Sequence, residues 1–426
     1  MSSYNVLVVG SGGREHAIAW KIAQSPSLQN LYCLPGNPGT AQIATNIPGK
    51  ATDKEAVAAA VAQNSIDLVV VGPEQPLVEG LVDFLKERFP DLLVAGPSAE
   101  GAQLEGSKEY AKNFMEKYGI PTARYRAFTG ENIAEACAFL KEMRPPYVLK
   151  ADGLAAGKGV LIIDDIDQAR KELDEMFGGK FGSAGSKVVI EQYLSGIEVS
   201  VFVLTDGSDY LILPEAKDYK RIGDGDTGLN TGGMGSVSPV PFADDEFMKK
   251  VEERIIRPTV KGIAEEKIDY KGFIFIGLMN CGGEPYVIEY NVRMGDPETE
   301  SVMTRIDSDL LQHLAATAGG TLKDEKIEIS SKTAVTVVMV SGGYPEKYKS
   351  LYPISGIEEV KKAQVFHAGT AISGGELVTS GGRVLAVTAC DKDIQRAKEA
   401  AYKAVGCISF KDCYNRSDIA DDLLAL

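Results

Sequence analysis

Short apolar runs alternate with helical patterns in the N-terminal part of the chain, and this alternation constrains the fold most strongly. In chain order the segments are Val6–Gly10, Arg14–Gln24, Asp53–Gln63, Leu68–Gly72, Leu77–Glu87 and Leu92–Gly96; the first, fourth and last are the apolar runs. Short apolar runs are typical of buried parallel strands, so the alternation predicts a doubly wound α/β sheet. The loops after such strands meet at one sheet edge, which is therefore the first candidate ligand site.

The glycine loop after the first run resembles a dinucleotide-binding loop only in part. Gly10-Ser11-Gly12-Gly13 begins as G-x-G, but Glu15 stands where the third glycine of that fingerprint belongs. The next apolar run, Leu31–Leu34, continues into Pro35 instead of an acidic residue for a ribose. Both halves of the fingerprint therefore fail. What remains is a glycine turn before a helix, which is either a phosphate site or a tight structural turn.

A second glycine-rich loop joins two predicted strands in the central part of the chain. The strands are Pro146–Lys150 and Val160–Ile163, and the loop between them carries Gly157, Lys158 and Gly159. Its spacing is not that of a Walker A loop, and it lies between two strands rather than between a strand and a helix. We interpret it as a flap whose amides and lysines close over phosphates. An ordinary glycine hairpin is the alternative.

Acidic residues follow at the ends of neighbouring predicted strands. Glu191 lies in Lys187–Leu194, and Glu198 lies in Ile197–Leu204. A nucleoside needs a carboxylate for its ribose hydroxyls and an apolar slot for its base, and this stretch offers both. A solvated strand edge is the alternative interpretation.

The segment Glu289-Tyr290-Asn291 is the candidate metal site. Residues two apart on a strand face the same side. A carboxylate together with an amide oxygen suits Mg²⁺, which binds few protein ligands besides phosphates and water. Arg293 follows directly and is able to bind a carboxylate through two hydrogen bonds. A charged surface turn is the alternative.

Two further loops carry candidate ligand groups. Asp224–Gly235 is so rich in glycine that it is either a linker or a place where backbone amides approach a ligand, with Asp218 just upstream. Glu74, after the strand that ends at Gly72, is able to offer a carboxylate at the same edge as the first loop.

Strand and helix patterns divide the chain into three predicted domains. They cover residues 1–102, 103–326 and 327–426, with a flap subdomain at about 122–194. The third segment pairs β-branched runs with the helical pattern Asp393–Val405. It has few clustered polar groups, so we expect a compact α+β domain with a supporting role.

Composition excludes several classes of function. The formal net charge of −15 argues against affinity for nucleic acid or an anionic membrane. No apolar run approaches the ~20 residues that span a bilayer. The six cysteines form no C-x-x-C pair, and there are only three histidines, which disfavours zinc, redox and histidine-based catalysis. We expect a cytoplasmic monomer without nucleic-acid or membrane partners.

The motifs taken together resemble a known family. KADGLAAGKGV between strands, then EQYLSGIEVS and EYN, are similar to the ATP-grasp superfamily. GSGGREHA, PGNPGT, GPEQPLVEG, LNTGGMG and NVRMGDPETE resemble the phosphoribosylamine–glycine ligases within it, in matching order over essentially the whole chain. The chain departs from the usual pattern at Leu229, Met294 and Tyr219, where proline, leucine or phenylalanine, and histidine are more common. These departures bear on loop details.

The resemblance implies a fold and a set of binding residues. The fold is an N-terminal doubly wound domain, a central ATP-grasp domain with a mobile flap and a C-terminal α+β domain. Glu289 and Asn291 would bind Mg²⁺ or Mn²⁺. ATP would be bound by Lys108, Lys150, Gly157, Lys158, Gly159, Glu191, Tyr193, Leu194 and Glu198. The substrate side would comprise Gly12, Gly13, Arg14, Glu74, Asp218, Asn230, Thr231, Gly232, Gly233, Met234 and Arg293, with Arg293 and Asp296 as catalytic residues.

The reaction implied by the resemblance is the ATP-dependent ligation of glycine to 5-phosphoribosylamine in purine biosynthesis, through glycyl phosphate. Such a reaction needs no protein nucleophile, in agreement with the lack of a Ser/His/Asp or Cys/His arrangement in the sequence. Phosphoryl transfer depends mainly on positioning and charge neutralisation. Three rivals remain: another ATP-grasp ligase such as a dipeptide ligase, an NAD-dependent oxidoreductase and a non-catalytic nucleotide sensor.

Overall fold

The N-terminal sheet has the predicted doubly wound form. The structure, a computed structural model, describes residues 3–154 and 159–426. The parallel strands are β1 (Tyr4–Gly10), β2 (Leu28–Pro35), β3 (Thr45–Asn46), β4 (Leu68–Val71) and β5 (Leu93–Pro97), in the spatial order β5-β4-β1-β2-β3. The helices are α1 (Gly13–Ile22), α2 (Lys54–Gln63), α3 (Glu74–Val78), α4 (Leu81–Arg88), α5 (Gln103–Gly106) and α6 (Lys108–Lys117).

Alternate residues of β1 point into two separate cores, as expected for a sheet covered on both faces. Val6 and Val8 pack with residues of α1, whereas Leu7 and Val9 pack with residues of α2 and α4. This arrangement presents the loops after β1 and β4 at one edge of the sheet.

The predicted helix Leu77–Glu87 is wrong as a single element. The chain forms α3 and α4 instead, with Gly80 between them at φ 79°. A left-handed residue cannot continue an α-helix, and glycine adopts that conformation at little cost. The apolar periodicity continued across the break and so concealed it.

A small antiparallel sheet carries the predicted flap. Its strands are β6 (Tyr125–Thr129), β7 (Tyr147–Ala151), β8 (Val160–Ile163) and β9 (Lys187–Gln192), in the order β6-β9-β7-β8. Helices α7 (Ile133–Glu142) and α8 (Ile166–Glu175) share a separate apolar core with it. The loop residues 155–158, which include Gly157 and Lys158, lie outside the described residues.

The remaining central strands extend the N-terminal sheet. β10 (Ile197–Thr205), β11 (Tyr210–Ile212), β16 (Tyr270–Cys281) and β17 (Glu284–Asn291) pair antiparallel. β16 also pairs with β5 through Tyr270 and Pro97. The helices of this part are α9 (Asp245–Val251), α10 (Arg257–Glu265), α11 (Glu298–Met303) and α12 (Leu310–Gly319).

The C-terminal sheet takes strands from two segments. Its members are β12 (Lys217–Asp218), β15 (Gly235–Ser238), β18 (Thr333–Val340), β19 (Gln364–His367) and β22 (Arg383–Asp391), in the order β12-β15-β18-β22-β19. Two hairpins, β13 (Arg221–Gly223) with β14 (Thr227–Asn230) and β20 (Thr370–Ser373) with β21 (Glu376–Thr379), lie outside it, and α13 (Ile394–Val405) and α14 (Asp421–Leu424) complete the chain. The pairing of β5 with β16 crosses the first predicted domain boundary, and the pairing of β15 with β18 crosses the second. Strand pairing therefore does not separate the three domains, and their boundaries stay a prediction.

No helix in the described ranges is long and apolar enough to cross a membrane.

Candidate active site

A buried ion-pair cluster lies where the flap sheet meets β17. The carboxylate of Glu191, on β9, is 2.9 Å from Lys112 Nζ and 3.0 Å from Lys150 Nζ. Lys150 Nζ also donates to the Ile288 carbonyl at 3.1 Å. Burial lowers the pKa of Lys112 to about 8, although Glu191 acts in the opposite direction. Glu191 therefore orients Lys150, while its predicted contact with adenosine stays a prediction.

Lys108 is bound to the base of the flap. Its Nζ donates to the carbonyls of Ala151 at 2.8 Å and Gly153 at 3.2 Å. Ser107 caps the N-terminus of α6, with its hydroxyl accepting from the Tyr110 amide at 3.1 Å. Of the predicted flap glycines Gly157 and Gly159, the structure describes Gly159. Its carbonyl accepts from the Ala151 amide at 2.8 Å. Lys108 therefore lies beside the start of the phosphate flap.

The residues predicted to bind the nucleoside lie at the turn between β9 of the flap sheet and β10 of the extended N-terminal sheet, which we call the main sheet. Tyr193 and Leu194 follow β9, and Tyr193 is exposed. Glu198, at the start of β10, forms an ion pair with Lys220. This turn therefore offers an exposed aromatic ring and a carboxylate next to the flap.

The two candidate metal ligands lie side by side on β17. Tyr290 between them faces the other side, where its hydroxyl and that of Thr259 are 2.7 Å apart. Burial alone would raise the pKa of Glu289, but nearby Lys220, Lys150, Lys108 and Arg293 lower it below its usual value. The carboxylate is therefore ionised at neutral pH.

The donor set fits a hard cation that keeps other ligands. No group of three or more His, Cys, Asp or Glu side chains able to hold a metal occurs among residues 3–154 and 159–426. Glu289 and Asn291 together offer one carboxylate and one amide oxygen. This suits Mg²⁺-like ions, which retain phosphate and water oxygens in their coordination sphere.

Arg293 is held between two carboxylates. Its Nη2 donates to Glu105 at 2.8 Å and its Nε donates to Glu74 at 3.3 Å. Burial would raise the pKa of Glu74, but the positive charges of Arg293 and Arg14 lower it overall. The sequence predicted Glu74 and Arg293 as site residues but missed Glu105, which lies within the short helix α5 and has no motif around it.

In the opening loop, the side chain of Glu15 fills the space beside Gly10 and Gly72, neither of which carries a Cβ atom. Its carboxylate accepts from the Gly12 amide and from Arg14 Nε, both at 2.6 Å. A Cβ atom at Gly72 would lie 2.2 Å from the same carboxylate, so glycine is required there. A cavity of about 240 Å³ opens beside the loop, lined among others by Gly10, Ser11, Gly12, Thr52 and Gln75. The loop therefore combines a built-in carboxylate with an adjoining space for ligand.

The loop Asn230–Met234, which we call the acceptor loop, and Asp296 both contact an arginine from the C-terminal segment. Arg383 Nη1 lies 3.0 Å from the Asp296 carboxylate and donates to the carbonyls of Asp296 at 2.8 Å and Gly232 at 2.9 Å. The Gly232 amide donates to the Tyr344 hydroxyl at 3.0 Å. The C-terminal segment, expected to be supporting, thus contributes directly to this side of the site. No local motif in the sequence marks Arg383.

The other predicted acceptor residues differ in what they expose. Asn230 and Thr231 lie at the end of β14, and the Thr231 hydroxyl accepts from the Gly233 amide at 2.9 Å. The Asp218 carboxylate lies 4.0 Å from Lys220 Nζ. The Met234 side chain is fully buried in an apolar core, its amide donates to the Tyr219 carbonyl and its carbonyl accepts from the Val338 amide, so its predicted contact with substrate stays a prediction.

Two buried carboxyl groups on α11 escaped the sequence analysis. Burial and the charge of Asp218 raise the pKa of Glu298 to about 7, and the Ser200 hydroxyl donates to it at 3.2 Å. Neither oxygen of Glu300 has a hydrogen-bond partner among the described residues, and a Cβ atom at Gly13 would lie 2.3 Å from one of them. Burial, with the charge of Asp296, raises the pKa of Glu300 well above its usual value.

Three family models match most of the chain. They are "Phosphoribosylglycinamide synthetase, N domain" at residues 4–105, "Phosphoribosylglycinamide synthetase, ATP-grasp (A) domain" at 106–299 and "Phosphoribosylglycinamide synthetase, C domain" at 334–422. Together they follow the chain order of the glycine loop, the flap and the segment with Arg383.

Curated relatives match over almost their whole length. The chain is 51% identical over 415 residues to a phosphoribosylamine–glycine ligase of Rhizobium meliloti, covering 97% of both chains. It is 47% identical over 422 residues to one of Chlorobaculum tepidum, covering 97% of this chain and 98% of the relative.

Solved structures show the same architecture. The crystal structure of phosphoribosylamine–glycine ligase from Thermotoga maritima has a TM-score of 0.86 and 38% identity, covering 98% of this chain and 100% of that one. Biotin carboxylase from Campylobacter jejuni, in complex with β,γ-ATP, has a TM-score of 0.72 at 16% identity, which shows the fold alone.

The fold and the matched domains define an ATP-grasp enzyme, a carbon–nitrogen ligase that uses ATP with a divalent metal ion. The predicted fold class and enzyme class are confirmed. Within that class, the chain belongs to the phosphoribosylamine–glycine ligase family.

Proposed function

We propose that this chain joins glycine to 5-phosphoribosylamine at the expense of ATP, giving glycinamide ribonucleotide, ADP and phosphate in purine biosynthesis. The observation that carries the proposal is the nearly full-length match to phosphoribosylamine–glycine ligases. The one from Rhizobium meliloti is 51% identical, and the match covers 97% of both chains. The site agrees with this reaction because two different regions adjoin in it. The nucleotide side is the lysine-rich region around Lys150, Glu191 and Glu289, and the acceptor side is the carboxyl-rich region around Asp296 and Arg383.

ATP lies between the flap sheet and the main sheet in this proposal. Lys108, Lys150 and Lys158 would neutralise its phosphates, and Gly157 and Gly159 of the flap loop would donate backbone amides to them. Tyr193, Leu194 and Glu198 contact its nucleoside. Glu191 acts by pairing with Lys150 at 3.0 Å. The positioned charges serve phosphoryl transfer, which depends chiefly on orientation and electrostatic stabilisation.

Glu289 and Asn291 would hold the divalent ion, which we propose to be Mg²⁺ or Mn²⁺. When bound, the ion neutralises charge on the ATP phosphates. The two residues lie two apart on β17, so their side chains face the same side of the strand, and this supports the assignment.

The chemistry proceeds in two steps at two neighbouring places. The glycine carboxylate oxygen attacks the γ-phosphorus and the bond to ADP breaks, which gives glycyl phosphate. The amine of phosphoribosylamine then attacks the glycyl carbonyl; phosphate leaves and the amine nitrogen loses a proton. Arg293, oriented by Glu105 and Glu74, neutralises developing negative charge. A closed flap excludes water, which would hydrolyse the acyl phosphate.

Phosphoribosylamine would lie along the sheet edge towards α11. Its phosphate would occupy the cavity lined by Gly10, Ser11 and Gly12, and its amine end would face Asp296 and the loop Asn230–Met234. Arg14, Glu74 and Asp218 border this path. The internal carboxylate of Glu15 keeps Arg14 in place at 2.6 Å.

The working form proposed here is a cytoplasmic monomer whose partners are these three small molecules. The net charge of −15 supports the lack of a nucleic-acid or membrane partner. Light scattering at working concentration tests the monomer.

Isotope transfer tests the proposed reaction. Glycine labelled with ¹⁸O in its carboxylate should pass one ¹⁸O atom into the released phosphate, since the attacked carboxylate oxygen leaves on phosphorus. Mass spectrometry should detect glycinamide ribonucleotide in equal amount. Unlabelled phosphate alongside product would contradict glycyl phosphate, and product from another amine in place of phosphoribosylamine would favour a different ATP-grasp ligase.

A further inference from the structure

We propose that Arg383 is a positioning residue for the ligation step, holding Asp296 and the acceptor loop in one geometry. The inference rests on the proposed function. Arg383 comes from β22, far along the chain from both groups that it contacts. Its role is to make the C-terminal segment part of the acceptor side.

The contacts of Arg383 concentrate on one nitrogen. Nη1 reaches the Asp296 carboxylate at 3.0 Å, the Asp296 carbonyl at 2.8 Å and the Gly232 carbonyl at 2.9 Å. A single guanidinium group therefore fixes both the backbone and the side chain of Asp296. Lysine would keep the positive charge, but its ammonium on a flexible stem would reproduce this set of contacts only in part.

Gly232 is held at both of its backbone groups by C-terminal side chains. Its carbonyl accepts from Arg383, and its amide donates to the Tyr344 hydroxyl at 3.0 Å. A Cβ atom at Gly232 would lie 3.0 Å from the guanidinium carbon, and one at Gly233 would lie 2.4 Å from Pro297 Cδ. The loop therefore packs directly on the Asp296–Pro297 turn, with Arg383 as the cross-link.

Asp296 also lies next to the N-terminal glycine loop, Gly10–Gly13. A Cβ atom at Gly12 would lie 3.5 Å from the second carboxylate oxygen of Asp296. One oxygen thus contacts Arg383 and the other borders the loop proposed to hold the substrate phosphate. Three segments that are remote in sequence meet at this carboxylate.

The charge of Arg383 is needed as well as its shape. Burial alone would lower its pKa, but Asp296, with smaller contributions from Glu300 and Glu298, raises the pKa overall. Removing the guanidinium would leave Asp296 without its cation, in a place with two further buried carboxyl groups. A merely structural link would affect stability alone, whereas a positioning role also affects the reaction of the amine.

Kinetics of the full chain with freshly prepared phosphoribosylamine test the inference. Arg383→Met should lower kcat/KM for phosphoribosylamine about 100-fold, the scale of misplacing reacting groups by about 1 Å. The Kd of an ATP analogue, measured by calorimetry, should stay within about twofold of wild type, because no nucleotide-side contact of Arg383 exists in the described ranges. Arg383→Lys should restore about tenfold of the loss, and Tyr344→Phe should lower kcat/KM about threefold.

Arg305→Met is the matched control. Arg305 is also buried and donates to the Ser330 and Lys332 carbonyls and to the Ser238 hydroxyl at the far end of β15, and none of these partners belongs to the loop Asn230–Met234 or is Asp296. This variant should lose stability but keep KM for phosphoribosylamine. An unchanged kcat/KM in Arg383→Met, or a parallel loss of nucleotide affinity, would overturn the inference; if Arg383→Met does not fold, wild-type values in Arg383→Lys and Tyr344→Phe would overturn it equally. A wild-type chain that does not consume phosphoribosylamine would instead overturn the proposed function.

Discussion

The nucleotide side and the acceptor side of the site are built in different ways. The nucleotide side is assembled around neighbouring strands: Lys150 on β7 pairs with Glu191 on β9 and also donates to the Ile288 carbonyl on β17. The acceptor side joins Gly12, Asp296 and Arg383, one from each part of the chain. The first is therefore built within the central part of the chain, whereas the second needs segments from all three parts.

The two sides also differ in charge. Lysines surround Glu191 and Glu289, which suits the polyphosphate of ATP. Asp296, Glu298 and Glu300 surround Arg383, which suits a ligand that brings amine and hydroxyl donors. The difference leads to predictions in which one side loses turnover or stability while the other is preserved.

The largest expected effect is on turnover from the nucleotide side. Glu289→Ala should reduce kcat by more than about 1,000-fold, because it removes the only carboxylate of the metal pair. Glu284→Ala, on the same strand but in surface ion pairs with Lys250 and Arg254, is the matched control and should retain wild-type kcat. Circular dichroism should show both variants folded. Wild-type turnover in Glu289→Ala would remove the metal assignment.

Next comes the buried ion-pair cluster. Glu191→Ala leaves Lys112 and Lys150 without their shared counter-ion and should lower the free energy of unfolding by about 3 kcal/mol. Urea denaturation measures it. Glu55→Ala, which removes an exposed pair with Arg88, should cost less than about 1 kcal/mol. Equal losses in the two variants would mean that Glu191 does not organise the nucleotide side.

A comparable but pH-dependent effect belongs to the acceptor side. The pKa of Glu298 is raised from 4.5 to about 7, so the folded chain binds its proton more tightly than the unfolded chain does. The resulting stabilisation of the folded chain is complete below the unfolded pKa of 4.5. It is lost as the pH rises through the folded pKa of about 7, by up to about 3 kcal/mol. Glu298→Gln, neutral at every pH, should show a smaller fall in unfolding free energy between pH 4.5 and 7. Identical pH profiles for the two proteins would contradict the raised pKa.

The sequence was informative wherever a pattern is local. Short apolar runs predicted the parallel sheet, the glycine loop between Lys150 and Gly159 predicted a strand-to-strand connection, and two-residue spacing placed Glu289 and Asn291 on one face. Each of these signals arises from residues adjacent in the chain.

Contacts between distant segments left no such signal. Nothing near Arg383 marks it as a partner of Asp296, and α11 gives no sign that Glu298 and Glu300 are buried. Glu15 counted against a dinucleotide site, but its role as the acceptor of the Gly12 amide depended on space that Gly10 and Gly72 leave for it. Such features depend on how remote segments pack together, which periodicity does not encode.

One assay tests directly whether the two sides work as a single ligase. Purified chain with ATP and a divalent metal should release ADP only when glycine and phosphoribosylamine are both present, and should fall to background when either is omitted. ADP release with another amino acid or another amine, and none with this pair, would contradict the account.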